Sequence, residues 1–335
     1  MREGDAVTVR GFGDEDEPRV LELLQDAFGA WPRGWDGVEP VEFFRWKHHA
    51  SPFGRSTMLV AEVDGELAGF IALMPWRLRF GARVRETMRG VDLAVDPRLH
   101  RRGVSMRLIG AARSHYGDEV VLGWSNPNEH SRGGSIKSGR QEVSGLRRFA
   151  GLGGSRWRTL ERVASPTASA ASSLAPGGES AGSRLEDEAL VSRLLGSSSA
   201  EDDVIVTAAD AQFLRWRYGW SQAYRGLVVE HGGRAAMAIF RVQRYHHLSV
   251  AHVCELLVER DDRRLTRMLV RAVRKATRSD FVVAALRSDG LAASCGLVRL
   301  RHATTITVKP LRAGLAPDPT QPTSWALSLG DLELI

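Results

Sequence analysis

Apolar and polar positions follow the same order twice along this chain. In the first pass Leu59–Val63 reads as a strand, Gly65 as a turn position and Ala68–Met74 as the return strand of a hairpin. Val91–Val95 is a further strand. A basic segment follows it, then a stretch near 103–115 with apolar residues at helical spacing, then the short apolar run Val120–Leu122. The second pass runs through Leu227–Glu230, a Gly232-Gly233 turn, Ala235–Phe240, Cys254–Val258, an Arg-rich amphipathic helix near 263–277 and Phe281–Ala285. Each pass opens on a related aromatic segment, Phe43-Phe44-Arg45-Trp46-Lys47 and then Phe213-Leu214-Arg215-Trp216-Arg217. The repeated order is helix, hairpin, long strand, helix, strand. It predicts an α/β (mixed α+β) protein of two tandem units, each a mixed sheet with a crossover helix.

Between the passes, Ala164–Gly182 is small, polar and unpatterned, the composition of a mobile linker. The expected division is therefore an N-terminal domain over 1–163, a flexible linker over 164–183 and a C-terminal domain over 184–335. The tail, Trp325–Ile335, is apolar enough to require docking. It is expected to return over the cleft of the first domain, placing Asp331 or Glu333 near a cationic amine.

Composition narrows the picture. The chain has 335 residues, of which 43% are hydrophobic, which suits two soluble domains. No apolar run approaches the roughly 18 residues that span a bilayer. The charged start, Met1-Arg2-Glu3-Gly4-Asp5, lacks a signal-peptide core, so a cytoplasmic location without membrane contact is expected. Cys254 and Cys295 form neither a disulfide framework nor a metal-ligand spacing, and no metal is expected. The net charge of +6 suits an acidic ligand. The arginines are spread along the chain rather than gathered in a nucleic-acid-binding tract.

The candidate chemistry centres on Val91-Asp92-Leu93-Ala94-Val95-Asp96-Pro97, then His100-Arg101-Arg102-Gly103-Val104-Ser105, then an amphipathic helix. A strand that turns through a basic, glycine-containing loop into a helix N-terminus makes an anion site. The first amides of a helix lack intrahelical partners and the helix dipole favours negative charge there. This segment resembles motif A of the GNAT N-acyltransferase superfamily, in which Gln or Arg, two residues, Gly, one residue and then Gly or Ala follow the fourth strand. Gly103 matches the central glycine. His100 and Ser105 depart from the pattern, and Ser105 is small enough to let the backbone approach a phosphate.

The resemblance implies a set of roles. His100, Arg101, Arg102, Gly103, Val104 and Ser105 would hold the diphosphate of acetyl-CoA, the acyl-donor cosubstrate. The backbone of Leu93, Ala94 and Val95 would hold the pantetheine and the thioester carbonyl. Asn126 and Asn128 would hydrogen-bond the pantetheine, although Asn-Pro-Asn is also ordinary turn and helix-start chemistry. Asp92 would relay a proton from the amine, with a salt bridge near Arg89 or Arg77 as its structural alternative. Glu129 or His130 would serve as base. The tyrosine that many relatives place on the next helix to protonate the thiolate is missing from 129–145, leaving Tyr116, Tyr218, Tyr224 or water. Trp46, Lys47, His48 and His49, with Trp76 and Arg77, would border the acceptor cleft or serve a structural role. In the second repeat Glu259-Arg260-Asp261-Asp262-Arg263-Arg264 has no glycine and three acids. It would repel a diphosphate, so that repeat reads as degenerate. The expected activity is CoA-dependent N-acyl transfer, most simply N-acetyl transfer, to a small-molecule amine. The alternatives are a tandem enzyme fed by aminoacyl-tRNA and a non-catalytic CoA-binding protein.

Overall fold

A computed structural model describes residues 7–32, 35, 37–153, 177–197, 203–245, 248–300 and 304–332. In chain order the elements are β1 (Val7–Gly11), α1 (Glu17–Phe28), α2 (Pro40–His49), β2 (Thr57–Val63), β3 (Glu66–Phe80), β4 (Arg83–Val95), α3 (Val104–Ala112), β5 (Leu122–Ser125), α4 (Glu129–Lys137), β6 (Gln141–Leu146) and β7 (Phe149–Leu152). There follow β8 (Glu179–Ser180), α5 (Ala181–Leu185), α6 (Glu188–Ser197), β9 (Ile205–Thr207), α7 (Ala211–Gly219), β10 (Arg225–His231), β11 (Arg234–Tyr245) and β12 (Leu248–Val258). The chain closes with α8 (Arg263–Thr277), β13 (Phe281–Ala284), α9 (Asp289–Ser294), β14 (Val298–Arg299), β15 (Thr304–Pro310) and α10 (Leu329–Leu332). Both expected hairpins, both long strands and both crossover helices are present.

The chain divides into two compact units, one within 1–144 and 305–322, the other within 145–304 and the tail from Thr323. The sheet of the first unit has the order β1-β2-β3-β4-β5-β15-β6. The crossover from β4 to β5 is parallel and the hairpins are antiparallel. Helix α3 buries Val104, Leu108, Ile109 and Ala112 against Leu59, Ala61, Ile71, Leu73 and Met88. The backbones come close because Gly69 on β3 has no side chain. A Cβ there would lie 2.9 Å from both Leu108 and Val104.

The sheet of the second unit has the order β14-β7-β13-β12-β11-β10-β8. Helix α8 packs Leu265, Leu269, Val270 and Val273 on Ala236, Ala238, Phe240, Val253 and Val282. Its strand β7 pairs with β13 and β14, while β15 pairs with β5 in the first unit. The second unit therefore starts at Gly145, ahead of the boundary expected at 163. Local periodicity identifies a strand, whereas edge pairing decides which sheet it completes. Of the expected linker over 164–183, residues 164–176 lie outside the described residues. Its last residues form β8 and the start of α5, where the Ser180 side chain caps the helix by accepting from Ser183 N–H. The tail is docked: Trp325, Leu327, Leu329 and Leu332 are buried, and α10 packs on β12 of the second unit. Glu333 lies outside the described residues.

Candidate active site

The site is built where β4 loses a neighbour. β4 pairs with β3 along its length. Its parallel pairing with β5 is confined to Thr87, Met88 and Arg89 opposite Leu122, Gly123 and Trp124. Beyond that point the two strands diverge, and among the described residues Val91–Val95 has an open edge on the β5 side. Asp96 N–H donates to Ala68 O at 3.0 Å, towards β3. Strand alternation then directs the N–H groups of Val95 and Leu93 to the open edge.

The register of β3 and β4 breaks between Phe70 and Ala72, where Ile71 opposes both Asp92 and Leu93. Asp92 sits in this bulge with φ +50°, a left-handed conformation that Asp tolerates better than most residues. Its carboxylate is buried and receives Lys47 Nζ at 2.7 Å and His48 Nε2 at 3.0 Å. The Trp31 indole N–H points at it from 3.5 Å. The other nitrogen of His48 meets Ser56 Oγ at 3.0 Å. Because a carboxylate only accepts, these partners place the imidazole proton on Nε2 and let Nδ1 accept from the Ser56 hydroxyl. Burial alone would raise the Asp92 pKa, but the Lys47 ammonium and the His48 hydrogen bond hold it far below the usual carboxylate range. Burial pushes His48 below its ordinary value, against the pull of Asp92. Both directions favour a carboxylate on Asp92 and a neutral imidazole on His48. Asp92 thus takes the salt-bridge reading, with Lys47 rather than Arg77 or Arg89 as its cation.

After β4 the chain turns sharply. The Asp96 carboxylate accepts from Arg98 N–H at 2.8 Å and pairs with the Arg98 guanidinium. Arg101 (φ +66°) and Gly103 (φ +82°) are both left-handed. Gly103 is the N-cap of α3, and no side chain caps that helix. Successive amides curled in this way form an anion-binding concavity at the positive end of the helix. Arg101, Arg102 and Gly103 are exposed there, while Val104 is buried and Ser105 half-buried, so the last two offer backbone. His100 is exposed and its Nε2 lies 3.2 Å from Val95 O, over the end of the strand.

The far wall follows β5. Asn126 Oδ1 accepts from Arg89 Nη2 at 2.8 Å. Arg89 is fully buried and stacks on Trp76 and Trp124, at 5.1 and 4.6 Å from the ring centres. The Asn128 side chain caps α4, accepting from Ser131 N–H at 2.9 Å. This is the helix-start role that Asn-Pro-Asn allows, and it engages Oδ1. Glu129 is exposed in the first turn of α4. His130 belongs to that helix, but its side chain lies outside the described residues. Tyr116 OH accepts from Arg140 at 3.0 Å. Tyr218 and Tyr224 are buried in the second unit and meet edge to face, with ring centres 5.0 Å apart.

Two residues central to this geometry, Lys47 and His48, read in the sequence only as cleft-bordering or structural. A signal was present. Phe43 with Lys47 and Phe44 with His48 share the buried face of α2 at i, i+4 spacing, and a lysine on an apolar face requires a buried acid.

Residues 8–125 match the family model for the acetyltransferase (GNAT) domain, a span that holds β1 to β5 and the α3 cradle. This segment belongs to the GNAT superfamily. The chain is an acyltransferase. Solved structures share the GNAT fold over most of the chain. A probable N-acyltransferase of unknown function from Enterococcus faecalis superposes with a TM-score of 0.63 at 11% identity, covering 92% of this chain and 73% of its own. A GCN5-related N-acetyltransferase from Anabaena variabilis gives 0.62 at 8% identity, with the same coverage of 92% and 73%. Saccharomyces cerevisiae N-myristoyltransferase, solved with myristoyl-CoA, gives 0.57 at 13% identity over 94% of this chain and 83% of its own. No curated protein matches by sequence.

Within this GNAT frame, the helix equivalent to α3 in the second unit is α8, and its N-terminus is closed. Asp262 Oδ1 accepts from Arg264 N–H at 2.7 Å and Leu265 N–H at 3.2 Å. Glu259 and Asp261 flank it. Among the described residues, no group of three His, Cys, Asp or Glu side chains is arranged to hold a metal ion.

Proposed function

We propose that the first unit binds acetyl-CoA along 93–105 and passes the acetyl group directly to the nitrogen of a small-molecule amine in the cytoplasm. The observation that carries this reading is the uncapped N-terminus of α3, with left-handed Arg101 and Gly103, at the end of a β4 whose edge is open. The N–H groups of Gly103, Val104 and Ser105, with Arg101 and Arg102 above them, would receive the diphosphate. Leu93 and Val95 would direct their N–H groups at the pantetheine and at the thioester oxygen, where negative charge grows during transfer. Asn126, fixed by Arg89, would hydrogen-bond the pantetheine. Glu129 and His130, at the start of α4, would take the proton from the attacking amine. The thioester, when bound, supplies the electrophilic acyl carbon. The tandem arrangement is read as one donor site per chain, since Asp262 holds the amides that a second diphosphate would need. An aminoacyl-tRNA donor is disfavoured because it has no use for a diphosphate cradle.

Calorimetry with acetyl-CoA, followed by thiol release across a panel of amines, tests the reading. Gly103→Glu is expected to abolish binding while leaving the fold intact. A Cβ at Gly103 meets nothing within 4 Å, and the left-handed φ costs a side chain about 1–2 kcal/mol. Undiminished binding in that variant would overturn the site.

A further inference from the structure

The buried cluster beside β4 does more than stabilise the fold. We propose that Lys47 and His48 are positioning residues that act through Asp92 on the backbone of Leu93–Val95, the strand segment assigned above to the thioester. The inference rests on that donor site. Asp92 is the bulge residue itself, at φ +50°. Rotating its backbone rotates the peptide that carries the Leu93 N–H, the first donor on the open edge. Its carboxylate is held from helix α2 by Lys47 on one side and by the His48–Ser56 pair on the other. Lys47 and His48 are 0% exposed, so neither can touch a ligand in solvent. The bulge residue is thereby tied through two side chains, Lys47 and His48, to a helix that contributes nothing to the α3 cradle.

The second repeat provides an internal comparison. With Phe213–Arg217 aligned on Phe43–Lys47 and Cys254–Val258 on Val91–Val95, Arg217, the following Tyr218 and Glu255 stand where Lys47, His48 and Asp92 stand in the first unit. There the register also breaks, between Ile239 opposite Glu255 and Phe240 opposite Val253, so in both units an acid stands at or beside the bulge. In that unit, Tyr218 OH donates to Glu255 at 3.1 Å, and Arg217 binds Tyr224 OH and Gly330 O at 2.8 and 2.9 Å. Asp92 has a left-handed φ and Glu255 does not. A network of different charge holds the bulge where α8 is capped by Asp262. The lysine–carboxylate–histidine clamp and the left-handed turn occur together in the unit whose helix is open to a diphosphate.

The test separates anchoring from folding. Lys47→Met with Asp92→Gly removes both charges together and gives the left-handed position a residue that adopts it without strain. Lys47→Met with Asp92→Asn keeps an acceptor for His48 and is the conservative partial rescue. Each protein is saturated with acetyl-CoA labelled with ¹³C at the carbonyl. The readouts are the carbonyl chemical shift, the Kd for CoA and the Tm. In the unmodified protein the bound carbonyl is expected to move downfield of free acetyl-CoA. The Met/Gly variant is expected to keep the CoA Kd within about twofold while losing most of that shift, and the Met/Asn variant to fall between. The order of the shifts should follow the clamp and not the Tm. An unchanged carbonyl shift in both folded variants overturns the proposal, as does a shift that merely tracks Tm. If Met/Gly does not fold, a native shift in Met/Asn is decisive against it. Failure of the unmodified protein to bind CoA would instead overturn the donor site, and this inference with it.

Discussion

Asp92 shows how far a single residue can be read from sequence. Its place, one step before the splayed segment, marks it as functional, and an acid there invites a catalytic role. What it does depends on Lys47 and His48, which lie more than forty positions away in sequence. Removing one partner of a buried ion pair leaves the other charge uncompensated, at a cost of about 3–5 kcal/mol. Lys47→Met alone should therefore lower stability by that amount in urea denaturation. Lys47→Met with Asp92→Asn should recover most of the loss, because the carboxylate charge goes with the ammonium. Equal losses in the two would show that the pair is not coupled. Asn128 teaches the complementary lesson. Its local spacing allows both a ligand contact and a helix cap, and the cap is the one the structure displays.

At the scale of elements, the two crossover helices differ mainly in what precedes them. Gly103 leaves α3 uncapped, whereas Asp262 caps α8 with two backbone hydrogen bonds. Asp262→Ala should cost about 1 kcal/mol of stability, within the range of helix N-caps, as measured by chemical denaturation. It should not create a second acetyl-CoA site, since Glu259 and Asp261 remain. Calorimetry should still count one site per chain. A stoichiometry rising to two would show that Asp262 alone closes the second cradle. These helices, their hairpins and the cradle loop were legible because apolar spacing, turn glycines and local charge are properties of consecutive residues. The β4 bulge was not, because a register break is defined only against β3.

At the scale of the molecule, the tail and strand β12 meet over a buried carboxyl. Burial, reinforced by the neighbouring charge of Asp331, pushes Glu255 up from 4.5 to about 8. Tyr218 and Asp331 surround this group, and Arg217 stands beside Tyr218. The folded chain keeps a proton on Glu255 that the unfolded chain has released. The sign follows from linkage: this contribution to stability is whole below about pH 4.5 and is lost as pH rises towards 8. Glu255→Gln, which stays neutral, should gain on the unmodified protein between pH 5 and pH 8.5 when both are denatured chemically. Parallel pH profiles would show that Glu255 is not protonated in the fold.

The sequence by itself determined the repeat, the identity and order of its strands and helices, the open loop at Gly103 and the acidic one at Asp262. Each is written in neighbouring residues, where periodicity, turn preference and charge act over a few bonds. The tertiary structure decided which sheet β7 and β15 complete, where the tail docks and which buried cation faces Asp92. Those outcomes depend on unsatisfied strand edges and buried charges finding partners far along the chain, and no local pattern encodes that pairing.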